Sequence, residues 1–187
     1  EDPDHLDQLM AAERDPNRLV CMDGVNSMTG NAPDIRAFAA VAREHGALLY
    51  VDDAHGFGTI GAHGRGALEH FNLRSPNLVY MGTLGKAAGV GGAFVAAHAS
   101  VIELMIQRAR PYIYTTAAPP ALAHALLASL DIIGGAEGAS RRAHLNALMR
   151  VLTLQLDPFE TQFLRYLFGI LVMLPLVVRG GLRSYWP

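Results

Sequence analysis

The sequence predicts an α/β layer built on a mainly parallel sheet. Three observations lead there. Short apolar runs alternate with segments of helical period from Arg18 to about Arg150, the rhythm of strand–helix–strand units. The runs are continuous, as expected for strands covered on both faces. Polar clusters with glycine follow two of the runs directly, at the carboxyl ends of strands where open α/β sheets carry their ligand sites.

The elements follow in order. Residues 19–22 read as a short strand. Residues 33–45 read as a helix: Pro33 suits a first turn, Ile35, Phe38, Ala39 and Ala42 share a face, and Gly46 suits the end. Residues 47–51 form an unbroken apolar run and so a strand, and residues 78–81 and 93–97 repeat that character. Ser100 opens a further helix, with Glu103 completing a capping box, that runs to Arg110 ahead of Pro111. Another runs from Pro119-Pro120 to Ile133 and stops at Gly134-Gly135.

The tail breaks this pattern. Residues 166–178 are apolar throughout, lie between Arg165 and Arg179, and contain Pro175. A spanning helix needs about 20 apolar residues, so the run is short unless Phe163 and Leu164 join it. Two alternatives stand: a membrane or interfacial segment, and a core helix.

Composition narrows the function classes. Of 187 residues 51% are apolar and 17% charged, with a net charge of −2. That leaves no basic excess for a nucleic-acid surface. Cys21 is the single cysteine, which excludes a disulfide framework and a thiolate zinc site. It is compatible with a reducing, cytoplasmic setting. No basic segment leading into an apolar one opens the chain, so no secretory signal is expected. Among the 15 Lys and Arg, Lys86 alone is lysine. Imine chemistry with an aldehyde needs a primary amine, which arginine cannot supply.

Two constellations carry chemistry. Val51-Asp52-Asp53-Ala54-His55-Gly56 sets two carboxylates and an imidazole at a strand end. Alone, such an Asp is ordinarily a turn cap and such a His structural; their adjacency favours a site. Met81-Gly82-Thr83-Leu84-Gly85-Lys86-Ala87-Ala88-Gly89 surrounds the lysine with small residues that let a bulky group approach. A phosphate-binding P-loop fails here: Tyr80 stands where its first glycine belongs, and Ala87 where Ser or Thr would hold magnesium. A dinucleotide fingerprint fails too, because Gly89-Val90-Gly91-Gly92 leads into a strand. A metal-dependent hydrolase using Asp52, Asp53, His55 and His63 lacks a supporting helical spacing.

Together these segments resemble the pyridoxal 5′-phosphate (PLP) enzymes of aspartate-aminotransferase fold, and among them the α-oxoamine synthases. The resemblance runs from about Asp23 to Arg150 and rests on four segments in order: residues 23–30 around Ser27, 51–58 around Asp52 and His55, 83–86 ending in Lys86, and 114–120. It implies residues 1–150 as part of a fold type I PLP-binding large domain, with 151–187 as an unrelated apolar helical tail. Residues 157–183 resemble the first hydrophobic segment of drug/metabolite transporters, as a frameshift, fusion or join near residue 151 would produce. The resemblance further implies roles. Lys86 would hold PLP as an imine and transfer protons, Asp52 would pair with the pyridine nitrogen, His55 and Ser27 would bond the ring's phenolic oxygen, and Thr83 would contact the phosphate. Asp53 would support the turn. Asn26 and Thr29-Gly30-Asn31 depart from the family's usual residues around Ser27. The Asp-Asp-Ala-His-Gly form of the ring motif favours the biotin-pathway branch, which joins L-alanine to a pimeloyl thioester of CoA or acyl-carrier protein with loss of CO₂. A homodimer is implied, and no metal. Two alternatives remain open: another PLP aminotransferase or lyase, and a non-catalytic remnant attached to a membrane segment.

Overall fold

The computed structural model of the chain describes residues 2–155. The chain divides into two compact units, Glu1–Ala143 and His144–Pro187. The first holds the sheet and every candidate site residue. The apolar run at 166–178 lies outside the described residues, and among those described no helix is long and apolar enough to cross a membrane.

Four strands form one sheet in the order β1 (Leu19–Asp23), β2 (Leu48–Asp52), β3 (Leu78–Thr83), β4 (Ala93–Ala97). The first three are parallel, with Asp23 opposite Asp52 and Asp52 opposite Met81. Strand β4 runs antiparallel, pairing Ala93 with Thr83, so the sheet is mixed. The reversal has a local cause: nine residues separate Thr83 from Ala93, too few for the crossover that a parallel return requires.

Helix α2 (Ile35–Glu44) buries Ile35, Phe38, Ala39 and Ala42, the face its periodicity specified. Pro33 precedes the helix rather than entering its first turn. Asp34 is the N-cap, its carboxylate accepting from the Arg36 N–H. Gly46 closes the helix at φ 64°, a left-handed conformation suited to glycine. Phe38, Ala39 and Ala42 pack with Leu49, Val51, Leu78 and Tyr80 in one core cluster.

Strand β2 is buried on one face and only partly covered on the other. Leu49 and Val51 are buried while Leu48 is 37% exposed. An apolar run therefore overstated the cover available within the described residues. Helix α4 (Ala99–Arg108) is capped by His98, whose Nδ1 accepts from the Ser100 N–H. The capping box expected there does not form, because Glu103 instead accepts from the Gln107 amide one turn on. Pro111 enters the short helix α5 (Arg110–Ile113), and α6 runs Pro120–Gly134 with Gly135 as its C-cap. Four helices were not expected from the sequence: α1 (Pro3–Ala12), α3 (Ala67–His70), α5 and α7 (Ala136–Gln155). The first carried a legible signal, since Asp2 caps it and Pro3 stands in its first turn.

Candidate active site

Because β1, β2 and β3 are parallel, their carboxyl ends meet on one edge of the sheet. Asp52 and Thr83 end strands there, and the segments carrying Ser27, His55 and Lys86 follow those ends. Asp52 ends β2, and its Oδ1 accepts from the Ala54 N–H at 3.0 Å, bending the chain into a tight turn. The N–H groups of Gly56 and Phe57 donate to the Asp53 carbonyl at 3.1 and 2.9 Å. That turn presents His55, half-buried, above the end of the sheet.

Thr83 ends β3, and residues 84–92 form the loop to β4. The loop is closed on itself: Leu84 N–H donates to Gly92 O, Val90 N–H to Leu84 O and Gly89 N–H to Lys86 O, at 2.9 to 3.0 Å. Helix α6 fixes it from outside, the Ser129 hydroxyl donating to Ala88 O at 2.8 Å. Gly58 lies against Ala87, where a Cβ would overlap the alanine methyl. The two loops can therefore approach closely, and Lys86 Nζ stands 2.7 Å from His55 Nε2. An amine and an imidazole nitrogen are thus held within hydrogen-bond distance of each other.

Ser27 lies on the same edge, four residues beyond the end of β1, and is exposed. Its loop is organised by Asn26, whose Oδ1 accepts from the N–H groups of Met28 and Thr29 at 3.0 and 3.1 Å. The residues that depart from the expected motif thus build the turn itself. The Thr83 hydroxyl is buried and has no hydrogen-bond partner among the described residues.

Asp53 faces the other way. It is fully buried, its Oδ2 accepting from the Tyr80 hydroxyl and the Ala67 N–H at 2.7 Å each. Burial pushes its carboxyl above the usual carboxylate range against these two bonds, and burial beside Asp53 raises the Tyr80 phenol. Asp53 is therefore no companion of Asp52 in a metal site. His63 is likewise engaged with Glu69, Nδ1 to Oε1 at 2.6 Å. Among the described residues no three His, Cys, Asp or Glu side chains converge to hold an ion.

Two residues of this region were not read from the sequence. Tyr80 could have been, because a tyrosine inside an apolar strand needs a partner for its hydroxyl. Arg142 gave no signal. It is buried, donating to Ile133 O at 2.7 Å and Ala62 O at 2.8 Å, and so ties the loop after His55 to the end of α6.

The family model for aminotransferase class I and II matches residues 2–176. The chain belongs to that family. The match extends past residue 150 into the segment expected to be unrelated, and no comparison supports a transporter-like tail. An 8-amino-7-oxononanoate synthase from Janthinobacterium sp. (strain Marseille) is 68% identical over 148 residues, covering 79% of this chain and 38% of that protein. One from Bordetella petrii is 60% identical, covering 83% and 39%. The chain thus spans well under half the length of these relatives. Among solved structures, Sphingomonas wittichii serine palmitoyltransferase aligns with a TM-score of 0.68 at 30% identity, over 77% of this chain and 36% of that one. Francisella tularensis 8-amino-7-oxononanoate synthase aligns at 0.62 and 36%, over 75% and 40%. The similarity to these proteins supports the α-oxoamine synthase branch of the family.

Proposed function

We propose that the chain carries the PLP-binding core of a cytoplasmic α-oxoamine synthase that condenses L-alanine with a pimeloyl thioester. The observation that carries this reading is the pairing of the sole lysine with His55 at 2.7 Å on the strand edge that Asp52 closes. It stands in a chain 68% identical to a protein named for that product.

The residues present fit the cofactor. Lys86 is a primary amine held within a glycine-bordered loop, as attachment to an aldehyde requires. The buried Thr83 hydroxyl is an orphan donor, and leaving such a group unpaired costs about 1–3 kcal/mol. A phosphate oxygen would accept from it. Asp52, half-buried, would accept from a protonated pyridine nitrogen, while His55 and Ser27 would bond the ring oxygen. PLP, when bound, supplies an electron sink for charge that develops at the amino acid's Cα.

The side chains then divide the proton work. Lys86 Nζ removes the Cα proton of alanine and returns one after carbon–carbon bond formation. His55 Nε2, in contact with that amine, fixes where it points. In the net reaction the alanine Cα bonds to the acyl carbon, the thiol departs, and the alanine carboxyl leaves as CO₂. The complete enzyme would act as a homodimer, with CoA or acyl-carrier protein bearing the acyl group.

Borohydride reduction of the chain with PLP, followed by peptide mass mapping, should place the adduct on Lys86. An adduct elsewhere sinks the reading. In the full-length enzyme, alanine-dependent release of CoA from pimeloyl-CoA separates a synthase from an aminotransferase, which would release none.

A further inference from the structure

We propose that Asp53 is the positioning residue of this site: one buried carboxylate that sets His55 against Lys86. Four segments converge on it. Gly24 leads into the Ser27 loop, Gly56 follows His55, Gly66 precedes α3, and Tyr80 lies three residues before Thr83. At each of the three glycines an added Cβ would overlap the Asp53 carboxylate. Backbone from three loops is thereby pressed onto a single side chain, as close as any residue other than glycine would forbid. Gly66 adds a second requirement, since its φ of 79° is one that other residues rarely adopt.

The polar contacts lock this packing. Asp53 Oδ2 takes the Tyr80 hydroxyl from β3 and the Ala67 N–H from the start of α3, where Gly66 offers no side-chain cap. The Asp53 N–H donates to Met81 O at 2.9 Å, joining the turn to β3 a second time. A 0%-exposed carboxylate with one oxygen lacking a partner among the described residues is expensive to keep. An apolar residue would fill the space more cheaply, so the position is explained by what the carboxylate holds rather than by stability. What it holds is the spacing of the two strand ends that carry His55 and the Thr83–Lys86 loop. This goes beyond the functional reading by assigning the support of the site, and only the cofactor arm of its test rests on that reading.

Lys86 is the sole lysine, so the rate at which an amine reagent labels it, read by peptide mass mapping, reports its surroundings without any cofactor. The variants Asp53→Ala, Asp53→Asn, Tyr80→Phe and His55→Ala are compared with the unmodified chain, each checked for native circular dichroism. His55→Ala gives the rate of a Lys86 released from its partner, expected to differ several-fold from the unmodified one. Asp53→Ala should move to that released rate. Asp53→Asn, which can still accept from Tyr80 and Ala67, should keep the unmodified rate, and Tyr80→Phe should fall between. Should Asp53→Ala not fold, Tyr80→Phe carries the test, since it removes one hydroxyl. An unmodified rate in folded Asp53→Ala or in Tyr80→Phe overturns the proposal; so does a His55→Ala rate equal to the unmodified one. Failure of the unmodified chain to form a reducible PLP adduct at Lys86 would sink the functional reading and leave the labelling result standing.

Discussion

The strand-end edge and the helices α4 to α6 are built from the same kinds of residue and turn out differently. Around the edge, small and apolar residues are enclosed: Val51 and Ala67 are 0% exposed and Ala88 4%. In α4 no residue is buried. Tyr114 and Leu127 are 77% and 62% exposed. Apolar character alone therefore did not decide burial. Enclosure came where the strands set a register and short loops, tied by backbone hydrogen bonds, brought neighbours together. Helices α4 to α6 have exposed apolar residues and, within the described residues, too few partners to cover them.

The largest effect should come from the edge. Lys86→Arg keeps a cation able to donate to His55 but cannot form an imine. Its reducible PLP adduct should vanish while circular dichroism stays native. A persistent adduct would show that the lysine was misassigned. Next comes a direct contrast between the regions. Leu49→Ala, at 2% exposure, should cost about 2–5 kcal/mol in urea unfolding, because it leaves a cavity in the core cluster. Leu127→Ala, on the open face of α6, should stay within about 0.5 kcal/mol. Equal costs would mean that the α6 face is packed in solution, and the contrast would fail.

The same contrast explains what could be read in advance. The buried face of α2 was legible residue by residue because a single stripe of apolar side chains meets a strand layer in the same unit. Strand β2 looked covered on both sides because an apolar run records only that no polar residue is tolerated, and says nothing of which partner is present. Helix α3 was invisible, as its start is capped by Asp53 from 14 residues earlier rather than by a local residue. Of the proposed site residues, His55 and Lys86 are brought into contact, whereas Asp52 and Thr83 end neighbouring parallel strands and Ser27 lies in the loop that follows β1. That edge was foreseeable from motif position. The partnership of Asp53 with Tyr80 and three glycines was not, because it joins residues that share no spacing rule.

The smallest effect sharpens the distinction between a carboxylate that does chemistry and one that holds structure. Burial raises the Asp53 carboxyl above its ordinary value, against the Tyr80 and Ala67 bonds that lower it. In the unfolded chain the group titrates in the usual range, so between that range and the raised folded value the native state retains a proton that the unfolded state has lost. Stability then falls as pH rises through this window. The stabilising contribution is whole below the unfolded value and gone above the folded one. Glu69 works in the opposite sense, its carboxyl lying below the usual range through hydrogen bonds from His63 and Arg65 that outweigh its burial. Its contribution is lost on acidification. Subtracting Asp53→Asn from the unmodified chain removes Glu69 and all other common groups and leaves Asp53. The difference in unfolding free energy, unmodified minus variant, should therefore decline with rising pH and then level off. A difference that grew with pH would mean that Asp53 is held ionised by its partners, and the buried carboxylate would belong with the charged groups of the edge.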